Sequence, residues 1–437
     1  MDPQEPARTT LGSRAAKEAA ELLAPVDAEL ARRYPGDPGT RQPVHTVYVP
    51  ADAFGAGTVR AWGDEALAAL DAHAPDAASF AAATGLGTGL AAEVYPRVRA
   101  KLRAEPVEDL RVDFEDGYGV RPDAEEDADA LRTARLVAAA CAAPDPARVP
   151  ATIGIRIKCM EAAVRARGIR TLDLFLTALL DDAPRLPARL VLTLPKVTYA
   201  PQVTAMARLL GAFEEERRLA PGGIGFEIQI ETPQAVLGPD GAATVARMID
   251  AGQGRVTALH YGTFDYSAAL GVSAAHQSPD HPAADHAKAV MQLAAAGTGV
   301  RLSDGSTNVL PVGPTEQVHA AWRLHHHLVS RALARAYHQG WDMHPAHLPT
   351  RYAAVYAFYR AGWERAADRL AAYAARAGGD VLDERATARA LAGHLLRGAD
   401  CEALGMDEIT ARAGLDRGRL EAFAGRRTPP VSPSTEG

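Results

Sequence analysis

The stretch GFEIQIE, Gly225–Glu231, decides the fold. Phe226, Ile228 and Ile230 fall on one side of an extended chain, and Glu227, Gln229 and Glu231 on the other, because successive strand side chains point to opposite faces. Similar runs recur on both sides of it. They are VHTVYVP (Val44–Pro50), DLRVDFED (Asp109–Asp116), TIGIRIK (Thr152–Lys158), RLVLTLPK (Arg189–Lys196) and RVTALHYG (Arg255–Gly262). STNVLPV (Ser306–Val312) and WDMHP (Trp341–Pro345) are weaker runs that bring the total to eight. Most gaps hold Ala-, Leu- and Arg-rich stretches with helical spacing, such as Glu126–Ala140, Val203–Arg218 and Thr315–Gln339. Eightfold strand–helix alternation predicts an α/β fold, a (β/α)₈ TIM barrel. A doubly wound sheet is the alternative, but no G-x-G-x-x-G follows an early strand.

In a barrel the apolar side of each strand meets the helices and the polar side faces the interior. Asp113 and Glu115, Arg156 and Lys158, and Glu227, Gln229 and Glu231 are therefore expected inside. Interior charges are costly unless they are paired or bind something. Several lie at the C-terminal ends of their strands, where barrel active sites are built.

The remaining sequence divides around the barrel. Residues 1–40 form an N-terminal segment with one amphipathic helix, roughly Arg14 to Arg33. The barrel takes 41–350, with an insertion after strand one at about 51–107. A helical C-terminal region follows over 351–427, and the Pro-rich tail 428–437 is expected to be disordered. The 437 residues carry 47 Lys plus Arg against 54 Asp plus Glu, a net charge of −7, with 47 % hydrophobic and 23 % charged residues. These values describe a globular chain and argue against a nucleic-acid or anionic-membrane partner. Cys141, Cys159 and Cys401 follow no C-x-x-C pattern, and no signal-like or spanning apolar run is present, so a cytoplasmic location is expected.

Glu231 and Asp265 are the strongest candidate metal ligands. Two carboxylates on adjacent loops suit Mg²⁺, which keeps waters and leaves positions for substrate oxygens. The alternative is that each carboxylate pairs with an arginine or caps a helix. Asp113, Glu115 and Asp116 form a second acidic cluster, able to hold a water or to precede a helix. Arg156 can clamp a substrate carboxylate and stabilise an enolate, or pair with Asp113 or Glu115. Only five lysines occur, and two of them, Lys158 and Lys196, end strands. A barrel lysine can form a Schiff base with a keto acid. His344 in WDMHP is expected near the mouth. His325, His326 and His327 share a helix, so their rings diverge and cannot jointly ligate a metal.

Taken in order, VHTVYVP, RVDFEDGYG, IGIRIK, LTLPKV, EIQIETPQAV, LHYGTFDYSAALG and GWDMHP resemble the strand-end motifs of the HpcH/HpaI aldolase and citrate lyase β-subunit-like family. That family lies in the phosphoenolpyruvate/pyruvate-binding barrel superfamily, to which malate synthase is also similar. The resemblance implies Mg²⁺ held by Glu231 and Asp265, substrate binding by Arg156, and an acidic motif at Asp113, Glu115 and Asp116. It places a late acidic residue, often reaching a neighbouring subunit, at Asp383, although Val381 replaces the family's Met and the proline is absent. It also implies a trimeric or hexameric homo-oligomer. RIK stands where relatives have R-[VI]-N, so Lys158 alters that corner.

The expected activity is that of a Mg²⁺-dependent carbon–carbon lyase or aldolase acting on a small 2-oxo acid or its acyl-CoA adduct through a stabilised enolate. Arg156, Glu115, Asp116 and Asp383 would carry catalysis, with Lys158, Lys196 and His344 at the substrate. The alternatives are a Schiff-base aldolase using Lys158 or Lys196, and a non-catalytic barrel that binds keto acids.

Overall fold

The computed structural model describes residues 10–142, 145, 149–183, 185–376 and 385–426. Eight parallel strands, β1 (Thr46–Pro50), β2 (Asp109–Asp113), β3 (Thr152–Arg156), β4 (Leu190–Leu194), β5 (Phe226–Ile230), β6 (Val256–Tyr261), β7 (Arg301–Ser303) and β8 (Trp341–Asp342), pair in the order β7-β6-β5-β4-β3-β2-β1-β8. A parallel bridge between Ser303 and Gln339 joins the two ends, and the Asp304 N–H donates to the Gln339 carbonyl at 2.8 Å. The result is a nearly closed (β/α)₈ barrel.

One strand departs from expectation. The seventh is Arg301–Ser303, not Ser306–Val312. Pro311 has no N–H for a ladder, and Val309, Leu310 and Val312 are exposed. After Ser303 the chain leaves the barrel at Gly305, where a Cβ would meet Thr263 Oγ1 at 2.1 Å.

Helices α1 (Ser13–Arg33), α2 (Thr58–His73), α3 (Ala77–Thr84), α4 (Thr88–Ala104), α5 (Asp123–Ala142), α6 (Arg165–Asp182) and α7 (Ala200–Glu216) lie in the first half. They are followed by α8 (Pro233–Val236), α9 (Thr244–Ala251), α10 (Thr263–Ala269), α11 (Pro282–Ala295), α12 (Thr315–Ala334) and α13 (Leu348–Arg360). The chain ends in α14 (Trp363–Arg376), α15 (Arg385–Asp400), α16 (Met406–Ala413) and α17 (Arg417–Ala424), a group that packs on itself and on α13. Within the β1–β2 connection, α4 runs into β2 and packs against α13, which also packs on α12. So α4 belongs to the helical ring, and α2 and α3 are the added helices.

The wall follows the alternation. Val47, Leu110, Val112, Ile155, Ile228 and Leu259 point outward and are buried under the helices. Each such side chain contributes about 1.5–3 kcal/mol relative to exposure. The interior is polar, and in its lower half one arginine joins two carboxylates. Arg111 donates to Glu227 (2.9 and 3.0 Å) and to Asp109 (2.5 and 3.1 Å). His260 lies 2.9 Å from Glu227, and Thr46 donates to Asp109 at 2.7 Å. This network fills the barrel beneath the mouth. A second buried network lies outside the wall, where Asp342 meets Arg351 (2.8 Å), His325 (3.0 Å) and His45 (3.3 Å). His325 is buried there while His327 is exposed, so the three consecutive rings do diverge. Glu214, at the end of α7, accepts from Arg255 (2.6 and 2.7 Å) and from the N–H groups of Gly222 and Ile224 (both 2.8 Å), tying α7 to the entrances of β5 and β6. Among the described residues no helix is long and apolar enough to cross a membrane.

Candidate active site

A cleft of about 440 Å³ opens at the C-terminal ends of the strands. Tyr48 and Pro50 of β1, Asp113 of β2, Arg156 of β3, Glu231 after β5, Asp265 after β6 and Trp341 of β8 line it. Five expected site residues border or overhang this cleft: Arg156, Asp116, Glu231 and Asp265 line it, and Lys196 reaches Asp265 across its rim at 3.3 Å. Glu115 joins them through Lys196, 3.1 Å away.

Arg156 is fixed on every side. Its Nε and Nη2 donate to the two oxygens of Asp113 at 2.6 and 2.7 Å. Tyr48 and Trp341 flank the guanidinium, with ring centroids 4.6 and 5.5 Å away. That leaves Nη1 toward the cleft, 3.4 Å from Gln229 Oε1 and 3.9 Å from Glu115 Oε2. Asp113 also accepts from the N–H groups of Glu115 (2.9 Å) and Gly117 (2.8 Å). One carboxylate therefore holds both the arginine and the β2 loop. The geometry accommodates both the Asp113 pair and the clamp, since Asp113 uses one edge of the guanidinium and, among the described residues, Nη1 makes only the long hydrogen bond to Gln229 at 3.4 Å.

Glu231 is buried, at 3 % exposure, and its Oε2 has no hydrogen-bond partner. Burial pushes its pKa up to about 8, with the nearby Asp265 and Glu115 charges adding to the effect of burial and Arg156 opposing it. Gly262 makes this approach possible, since a Cβ there would stand 2.3 Å from Glu231 Cγ. Glu115 is also pushed up, to about 7, first by burial and then by its interaction with Asp116, whose own pKa is lowered.

Lys196 bridges Asp116 (2.7 Å), Glu115 (3.1 Å) and Asp265 (3.3 Å). Its backbone is left-handed, φ 50°, which costs a residue with a Cβ about 1–2 kcal/mol. Such strain gathers at functional sites. Burial alone would lower the lysine pKa, but the three carboxylates outweigh it and raise it. A Schiff-base nucleophile needs the opposite shift.

Two expected residues are placed elsewhere. Lys158 does not enter the cleft. Its Nζ donates to Glu126 of α5 (2.8 Å) and to the carbonyls of Phe114 (2.7 Å) and Gly119 (3.2 Å), because the chain turns under α5 as soon as β3 ends. His344 caps the turn after β8, accepting from the Ala346 N–H at 3.1 Å, and Trp341 and Met343 line the cleft in its place. Asp383 lies outside the described residues. Tyr48 and Trp341 are not among the residues expected from sequence, and Gln229 is expected inside the barrel but without a role at the site. For Tyr48 the signal was available, since it alternates with Val47 and Val49 on the inward face of β1.

Asp113, Glu115, Asp116, Glu231 and Asp265 together carry five negative charges when ionised, against Arg156 and Lys196. Asp113 spends itself on Arg156, and Lys196 is shared by three carboxylates. Glu231 is left without a cation. A divalent ion fits this imbalance and the unpartnered Glu231 oxygen. Among the described residues no three or more His, Cys, Asp or Glu form a closed metal cage.

The chain belongs to the family described as "Domain of unknown function (DUF6986)", whose model matches residues 23–428. No curated protein matches it. Solved structures similar to it include a citrate lyase from Burkholderia xenovorans LB400, 23 % identical over 71 % of this chain and 92 % of that one, with a TM-score of 0.49. A malate synthase from Haloferax volcanii is 14 % identical over 71 % and 72 %, with a TM-score of 0.48. The citrate lyase beta subunit from M. tuberculosis, complexed with oxaloacetate and magnesium, is 18 % identical over 73 % and 97 %, with a TM-score of 0.39. These neighbours include members of the family that the strand-end motifs resemble.

Proposed function

We propose that this protein is a Mg²⁺-dependent carbon–carbon lyase or aldolase that acts on a small 2-oxo acid or its acyl-CoA adduct. The observation that carries it is the buried Glu231 carboxylate, its Oε2 without a hydrogen-bond partner, facing the same cleft as Asp265 and Arg156 Nη1. Glu231 and Asp265 would hold Mg²⁺, which when bound polarises substrate oxygens and offsets enolate charge. Arg156, pinned by Asp113 and flanked by Tyr48 and Trp341, presents Nη1 to the substrate carboxylate or enolate oxygen without reorganising. Glu115, held near neutrality by burial, accepts or returns the proton, directly or through a water shared with Asp116. Lys196 keeps Asp116 and Asp265 turned toward the mouth. Trp341 and Tyr48 exclude water from the back of the clamp.

Exchange of the pyruvate methyl protons in deuterated water tests this proposal. Exchange is expected with Mg²⁺ and not with EDTA, and is expected to vanish in Glu231→Ala and Asp265→Ala. Unchanged exchange in those variants with EDTA present would refute the metal-assisted enolate. Arg156-dependent binding of pyruvate with no exchange, and no turnover of acyl-CoA adducts, would make the chain a binding barrel instead.

A further inference from the structure

A second cavity, of about 350 Å³, opens at the opposite end of the barrel, where the strands begin. It is built largely from the extensions. Asp37 and Thr40 come from the segment before β1, Arg397 and Asp400 from α15, and Arg426 from the residues after α17. The barrel contributes Arg301 at the start of β7. The Asp109–Arg111–Glu227 network fills the interior between this cavity and the cleft, so a ligand here does not reach the candidate active site.

The cavity carries more positive charge than its carboxylates can answer. Asp400 is already engaged by Arg426 Nη1 (2.8 Å) and Arg417 Nη2 (2.9 Å). Asp37 Oδ2 lies 3.4 Å from Arg426 Nε and 4.0 Å from Arg397 Nη2, both longer than the 2.7–2.9 Å of a good charge-assisted bond. The Arg426 side chain is only 4 % exposed, and its Nε has no hydrogen-bond partner. Arg301 is half-buried and donates only to the carbonyl and hydroxyl of Thr40; among the described residues no carboxylate lies within ion-pair distance of it. Burial and the neighbouring Arg426 charge lower the Arg301 pKa, as expected for a guanidinium short of an anion.

We propose that this cavity is a second binding site, for a small organic anion recognised through a phosphate or carboxylate group by Arg301, Arg397 and Arg426. Guanidinium forks match either group, and the volume falls in the range of small-ligand pockets. Because its walls come from both extensions and from the barrel, the anion fastens the three together. Binding therefore stabilises the fold as well as filling the site.

The test is calorimetric titration of the full chain with inorganic phosphate, pyrophosphate and citrate at constant ionic strength, alongside thermal melting. Saturable binding with a raised Tm is expected for the wild type. Loss of one charge-assisted pair should weaken it at least about tenfold in Arg301→Gln and in Arg397→Gln. Arg170→Gln, an exposed arginine of α6 outside both cavities, should bind as the wild type does. Preference for pyrophosphate over citrate assigns a phosphate site, and the reverse a carboxylate site; either supports the proposal. If Arg301→Gln does not fold, Arg397, whose side chain is 36 % exposed, carries the test alone. Absence of saturable binding by all three anions, equal binding by Arg397→Gln, or loss of binding in Arg170→Gln would overturn it.

Discussion

Replacing Asp113 by Asn removes one charge and changes almost nothing in volume, so it isolates what the Asp113–Arg156 pair does. Asp113 now answers four donors: Arg156 Nε (2.6 Å), Arg156 Nη2 (2.7 Å), the Glu115 N–H (2.9 Å) and the Gly117 N–H (2.8 Å). Asn keeps one carbonyl oxygen for them and turns an NH₂ toward the rest. Arg156, 2 % exposed, is then a buried cation without its partner. Removing one member of a buried pair costs about 3–5 kcal/mol, and that loss is expected from urea unfolding with an unchanged m value. Adding Arg156→Gln removes the stranded charge. The double variant should be more stable than the sum of the single losses, with a coupling of about 2 kcal/mol. Pyruvate proton exchange should fall about 10²–10³-fold in Asp113→Asn, the range for a displaced oxyanion donor, and should not return in the double variant. A loss below about 1 kcal/mol, the worth of an ordinary neutral hydrogen bond, or simple additivity of the two changes, would refute the reasoning.

Four further outcomes follow from the same structure. Glu231→Gln should leave the Mg²⁺-free melting temperature unchanged or raised, because the carboxylate it replaces is buried and unpartnered, while Mg²⁺-induced stabilisation disappears; a drop in the Mg²⁺-free Tm would contradict this. Gly262→Ala places a Cβ 2.3 Å from Glu231 Cγ and should abolish Mg²⁺-dependent exchange at a stability cost of about 1–3 kcal/mol, read by denaturant titration. Folding lowers the Glu214 pKa from 4.5 to about 2 against the cost of burial, through its bond to Arg255 and the N–H groups of Ile224 and Gly222. Its contribution is thus complete above pH ~4.5 and lost as pH falls to about 2, so Arg255→Gln should flatten the acid limb of a stability-versus-pH curve. No residue of α1 is buried, and Leu22, Leu23, Val26 and Leu30 are exposed, so Leu23→Asp with Leu30→Asp should change the stability of the chain by less than about 1 kcal/mol in urea unfolding, and a larger loss would contradict this.

Strand alternation made the barrel and most of its mouth legible before any coordinates. A period of two is local, so it assigned Glu227, Gln229 and Glu231 to the interior and placed Arg156, Glu231 and Asp265 near one rim. The weak runs were less informative. STNVLPV has strand-like composition, but Pro311 and the exit at Gly305 put it in a loop.

What alternation could not determine was the direction of each chain after its strand ended. Lys158 and Lys196 end their strands in much the same way, yet Glu126 on α5 captures Lys158 and a left-handed turn carries Lys196 over the mouth. Nor could spacing separate interior charges that neutralise one another from those left over. Arg111 joins Asp109 and Glu227 in one network, Asp113 spends its charge on Arg156, and Glu231 keeps a buried oxygen that has no hydrogen-bond partner among the described residues. The sequence by itself determined which residues face inward, because that follows from backbone geometry between neighbours. Only the tertiary structure decided which charges meet, because pairing depends on residues brought together from different strands and from the helices packed behind them.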